Sequence, residues 1–175
     1  MAIKAFSGVR TEEMAFMEWK HIEFRKGKGY IILPKVITKK KRRRIMPLAP
    51  NLRKWIAPFE GLTGRICSDW STPQSVFKAW DRFAATREIK AGENRFRNSY
   101  ISYRVAQTSD PAKVALETGN SAEVIMEDYL ELTTPEEAAR WFKVAPSAQQ
   151  MKAITTYAAQ LKRLHAAGNV EGIFP

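Results

Sequence analysis

The chain is poor in the residues that build metal centres and covalent frameworks. Its 175 residues include one cysteine, Cys67, so no internal disulfide and no cysteine-based zinc site can form. Two histidines, His21 and His165, are too few for most metal centres, and neither a metal nor another cofactor is expected. No apolar run approaches the roughly 18 residues of a membrane span. No apolar leader precedes a cleavage site either, so the expectation is a cytoplasmic chain with no membrane partner. Acid is scarce in one region only. Residues 1–54 hold 15 Lys or Arg against 4 Glu, and the remainder holds 14 of each sign, so the net charge of +11 lies in the first third. A basic surface concentrated in this way favours a polyanion, because each neutralised phosphate releases condensed counterions. A solvated basic face with no partner is the plainer alternative.

What is present reads as one mostly helical domain. The segments "IEF", "YIIL" and "RIMPL" are short runs rich in β-branched residues, and Gly27 and Gly29 separate the first two. They predict a small three-stranded antiparallel sheet. "RTEEMAFMEW" predicts a helix after Gly8, with Thr11 as its cap. Thr72-Pro73, Asp110-Pro111 and Thr134-Pro135 each place a capping side chain before a proline, the residue whose missing N–H is harmless at the first helical position. Ser121 and Ser147 are further caps. A last helix is predicted from about Ser147 to Ala167, with apolar spacing through Met151, Ile154, Ala158 and Leu161 and a stop at Gly168. The division expected is a domain over residues 1–146 and a helical tail over 147–175. Only six residues precede "SGVR", fewer than the helix that "AIKAF" ends would need, so the domain is expected to start partway in.

Four stretches carry the chemistry. "FSGVRTEEM" sets Arg10 after a glycine turn. "TKKKRRRIMPL" runs six basic residues, Lys39 to Arg44, into a strand. "NRFRNS" sets Arg97 between Asn94 and Asn98. "ETGNSAEVIMEDYLEL" sets Tyr129 nine residues past Asn120. Each has a bland reading: surface cations for the arginines, helix caps or a helix end for the asparagines, a half-buried helix residue for the tyrosine.

In this order and at this spacing the chain resembles the tyrosine recombinases, or phage-type integrases, over roughly residues 3 to 143. Gly8, Arg10 and Glu13 match that family's Gly-x-Arg-x-x-Glu motif. Lys39, ahead of Pro47-Leu48, matches its hairpin lysine, with Lys40 and Lys41 as close rivals. Asn94 to Ser99 align with its His-x-x-Arg-His-Ser box, Gly119-Asn120 with its Gly-His or Gly-Trp, and Tyr129 with its nucleophile. The resemblance implies the catalytic-domain fold of that family, double-stranded DNA as partner, and self-association on DNA as a tetramer. It also implies site-specific cutting and rejoining of strands for integration or excision of a mobile element.

It further implies roles. Arg10 and Arg97 clamp the scissile phosphate, because guanidiniums offer fixed, forked donors to the charge that grows in the transition state. Tyr129 attacks and stores the bond energy as a phosphotyrosine. Lys39 protonates the leaving 5′ oxygen. Lys40, Lys41, Arg42, Arg43, Arg44 and Ser99 are expected against the DNA. The chain departs from the family where Asn94, Asn98 and Asn120 replace histidines or tryptophan. An amide can hold an oxygen or orient Tyr129 but cannot take a proton. A degenerate relative that binds DNA without cutting it, a basic helical binder with a structural tyrosine, and a type IB topoisomerase-like enzyme are the alternatives.

Overall fold

A computed structural model describes residues 1–67, 72–87, 94–130 and 132–167. Among them, the chain is mainly helical with one small sheet. The first helices, α1 (Ala2–Ser7) and α2 (Thr11–Phe16), are separated by Gly8, which caps α1 in the left-handed region at φ 65°. A side chain is also excluded there by packing, since a Cβ on Gly8 would lie 2.5 Å from the Tyr100 ring. The predicted helix over residues 10–19 is shorter than expected, and Arg10, rather than Thr11, precedes its first turn. Thr11 Oγ1 instead accepts a hydrogen bond from buried Lys4 Nζ at 2.7 Å. The helix stops early because Met17 turns extended, and its carbonyl accepts from Ile66 N at 2.9 Å. A tertiary pairing there takes over from the helical ladder.

A single 3₁₀ turn, Trp19–His21, leads into β1 (Ile22–Phe24), β2 (Gly29–Leu33) and β3 (Arg44–Pro47). The strands form an antiparallel sheet in sequence order, as predicted. Register pairs Ile31 with Met46 and Leu33 with Arg44. Strand side chains alternate between faces, so Arg44 and Met46 point the same way. Both are buried, while Ile45 between them is exposed.

The helices α3 (Pro50–Ile56), α4 (Pro73–Ala85), α5 (Arg95–Thr108), α6 (Pro111–Thr118), α7 (Ala122–Tyr129), α8 (Pro135–Trp141) and α9 (Ala148–Ala166) follow. The caps at Thr72, Asp110, Ser121, Thr134 and Ser147 each accept a backbone N–H, as their chemistry predicts. The predicted stop at Gly168 lies outside the described residues. One apolar cluster joins the sheet to α1, α2 and α3 through Phe6, Met14, Met17, Ile31, Met46 and Leu52. A second joins α5, α6 and α7 through Tyr100, Ile101, Val105, Val114 and Ile125, with Tyr129 packed on its edge. An ionic clasp backs this second cluster: Glu117 on α6 accepts from Arg104 Nε and Nη2 at 2.9 and 2.8 Å and from Tyr100 Oη at 3.2 Å. The first turn of α2, the start of β3, the start of α5 and the end of α6 meet where the two clusters adjoin.

Candidate functional site

Three guanidiniums, each from a different part of the chain, converge on the end of α6. Arg10 Nη1 donates to the Thr118 carbonyl at 3.2 Å, and its Nη2 to the Gly119 carbonyl at 3.2 Å. Arg44 Nη1 donates to the same Thr118 oxygen at 2.7 Å, as does Arg97 Nη2 at 2.7 Å. Arg97 also donates to the Gly8 carbonyl and to Asn120 Oδ1. The turn that presents these oxygens exists because Gly119 takes φ 71° and ends α6, with its N–H on Ala115 O at 2.7 Å.

One carboxylate serves this cluster among the described residues. Glu13 is 1% exposed and accepts from Arg44 Nη1 and Nη2 at 3.1 and 2.6 Å. It also accepts from Arg10 Nη1 at 3.3 Å and from Arg10 N at 2.9 Å. Three cations therefore share one anion, and two positive charges are left over in a part-buried spot. The imbalance shows in Arg97, which is 6% exposed. Burial, then Arg10, then Arg44 push its guanidinium down from the ordinary arginine value to about 9, against the opposing pull of Glu13 and Tyr129. Arg44 is pushed down by burial too, and Glu13 works against that shift. A buried site with unbalanced positive charge is suited to an oxyanion, which supplies the missing charge.

Tyr129 ends α7 half-buried beside this cluster, and Arg97 acts on it electrostatically. Its Oη donates to Asn98 Oδ1 at 3.1 Å. Burial raises the phenol's pKa, Arg97 lowers it and Asp128 raises it, with a net upward shift. The tyrosine is thus held as a neutral phenol against an amide oxygen that can accept its hydrogen bond but cannot take its proton.

Five of the predicted site residues, Arg10, Arg44, Arg97, Asn120 and Tyr129, are brought together. The others stand apart in different ways. Asn94 precedes α5 in the left-handed region at φ 59°, exposed, with no capping hydrogen bond from its side chain. Ser99 is half-buried on α5. Lys39 is exposed in the loop between β2 and β3 and takes no part in the hydrogen bonds of the arginine cluster. Lys40, Lys41, Arg42 and Arg43 are exposed in the same loop. That loop is closed from within by Thr38, whose Oγ1 donates to Arg42 O at 2.8 Å and accepts from Arg42 N at 3.1 Å. Arg44 departs from the expected exposed run, since strand alternation turns it inward onto Glu13. Asn98, the contact of the tyrosine, was not among the predicted site residues. Its signal in the sequence is its place in the Asn94–Ser99 box, where the resembled family has a histidine and an amide can orient Tyr129. No group of three or more His, Cys, Asp or Glu side chains that could hold a metal occurs among the described residues.

Comparison with protein-family models, with curated proteins and with solved structures gave no match.

Proposed function

We propose that the chain cuts and rejoins DNA strands through a covalent 3′-phosphotyrosine, as the resemblance to tyrosine recombinases implies. The observation that carries this reading is the meeting of Arg10, Arg97 and Asn120 around one turn with Tyr129 alongside. In this reading a scissile phosphodiester supplies the anion that the arginine cluster lacks. Arg10 and Arg97 donate to its non-bridging oxygens, whose charge grows as the phosphorus becomes five-coordinate. Tyr129 Oη forms the new P–O bond, the P–O5′ bond breaks, and a free 5′ hydroxyl leaves. The phenol's proton is released and the leaving oxygen gains one, with Lys39 or a neighbour in its loop as the donor. Resealing runs the same steps backwards.

The test is a nicked duplex whose short 5′ product diffuses away after cleavage and so traps the protein on the 3′ phosphate. Attachment is expected in EDTA. Tyr129→Phe keeps the volume and removes the attacking oxygen, so DNA binding should persist and attachment should vanish. Arg97→Ala should slow attachment by roughly 10²–10³, the loss seen when one preorganised donor to a developing oxyanion is removed. The second reading is a relative that binds DNA without cutting it. It is favoured by the amide of Asn98, which holds the phenol where a proton acceptor is needed. Binding with no attachment on any substrate would establish that reading instead.

A further inference from the structure

Arg44 does more than the solvated members of its basic run. It is 6% exposed, and its fork spans two elements. Nη2 and Nη1 reach Glu13 on α2 at 2.6 and 3.1 Å, and Nη1 also reaches Thr118 O at the end of α6 at 2.7 Å. Its Nε is buried without an acceptor, a penalty that a residue placed for packing alone would not carry. The adjoining backbone is shaped around it. A Cβ on Gly119 would lie 3.0 Å from Arg44 Nη1 and 3.1 Å from Arg44 Cδ, so a side chain there is strained by φ and would also press on this guanidinium.

We infer that Arg44 is a positioning residue of the site, tying the Thr118–Asn120 turn to Glu13 and so setting where Arg10 and Arg97 present their donors to a phosphate. The inference rests on the proposed phosphoryl-transfer reading. Arg10 and Arg97 both take their bearings from the oxygens of that turn, and Arg10 is also held by Glu13. Arg44 touches both anchors and reaches the cluster from a third element, β3. It therefore need not touch the substrate to matter. Its charge also bears on Arg97, which is faced by Arg10 just before α2, by Glu13 on α2, by Arg44 from β3 and by Tyr129 from α7.

The test uses Arg44→Lys and Arg44→Gln in the full chain, with three readouts. The first is the rate of covalent attachment to the nicked duplex, beside equilibrium DNA affinity. Both variants should attach about 10-fold to 100-fold more slowly, with affinity within about threefold, because a forked donor is lost and the exposed loop is untouched. The second is the titration of Arg97 followed by its ¹³Cζ resonance. The midpoint should move up in Arg44→Gln, which removes a facing cation, and stay in place in Arg44→Lys. The third is amide exchange at Gly119, which should quicken at least 10-fold in Arg44→Lys while core amides of α5 hold. Should Arg44→Gln fail to fold, Arg44→Lys carries the test through the first and third readouts. An unshifted Arg97 midpoint in a folded Arg44→Gln, or unchanged Gly119 exchange in Arg44→Lys, overturns the inference. A wild-type chain that never attaches to DNA overturns the phosphoryl-transfer reading instead, and the two resonance readouts still decide whether Arg44 positions the cluster.

Discussion

Arg97 and Tyr129 pull the pH dependence of the site in opposite directions. On the proposed function a guanidinium that clamps phosphate must be charged, and burial, Arg10 and Arg44 lower Arg97 to about 9. A nucleophilic phenol must lose its proton, and burial moves that ionisation above its ordinary value of 10. Attachment should therefore climb with pH and turn over near pH 9, as measured by a pH–rate profile on the nicked duplex. Fold stability follows the opposite sign at Arg97. Its pKa is depressed on folding, so from about pH 9 up to the ordinary arginine value the unfolded chain holds a proton that the folded chain has lost, and its contribution to stability rises with pH across that window. The fall in attachment above pH 9 should thus precede unfolding. Asn98→His would put a proton acceptor where the amide now receives the phenol. It should raise attachment at pH 7 by about 10-fold or more, toward the roughly 10²–10⁴ of a positioned general base, and no gain would mean the amide is not the limiting group. At this scale the sequence was legible where motif and glycine turn coincide, as at Gly8-Arg10 and Gly119-Asn120. It misled at Arg44, because a run of six basic residues hides the two-residue period that Met46 carries into the core.

Elements announced themselves when their signals were local. A proline behind a capping side chain marks α4, α6 and α8 without help from the rest of the chain. The end of α2 did not, since it is set by residues 64–66, far along the sequence. The last helix, α9, shows both faces of the matter. Its predicted stripe does turn inward: Ala158 is buried, Met151, Ile154 and Leu161 are half-buried, and Tyr157 sets its ring edge-on to Phe59 at 6.3 Å. The depth of docking was not legible. A cavity of about 1070 Å³ separates part of α9 from Phe6, Trp55 and Trp141, so the helix lies over apolar surface without filling it. Half-burial of a few side chains contributes less than the roughly 1.5–3 kcal/mol each that full burial gives. Deleting residues 147–175 should then lower the melting temperature by only a few degrees for a domain of this size. The uncovered aromatic surface should show as self-association in sedimentation. An unchanged melting temperature together with unchanged sedimentation would mean that α9 contributes nothing to the domain.

Among the described residues, positive charge stands in two different settings. The arginine cluster buries three cations with one carboxylate, and the β2–β3 loop holds Lys39, Lys40, Lys41, Arg42 and Arg43 in the open. Buried, forked donors act on one oxyanion at short range, whereas exposed lysines act on a row of phosphates through counterion release. On the proposed function the two settings are separable by salt. If the loop neutralises several phosphates, the logarithm of the DNA binding constant should fall linearly with the logarithm of salt, at a slope of about −0.9 per phosphate contacted. Replacing Lys40, Arg42 and Arg43 together by alanine should make that slope shallower by about two to three and weaken binding to all sequences alike. Replacing Arg97 should leave the slope within about one of the original, because its charge meets a single phosphate. Binding measured by fluorescence anisotropy across a salt series decides the matter. A slope unchanged by the triple substitution would mean that the loop's charge is spent on solvent, and that the DNA lies against another face of the molecule.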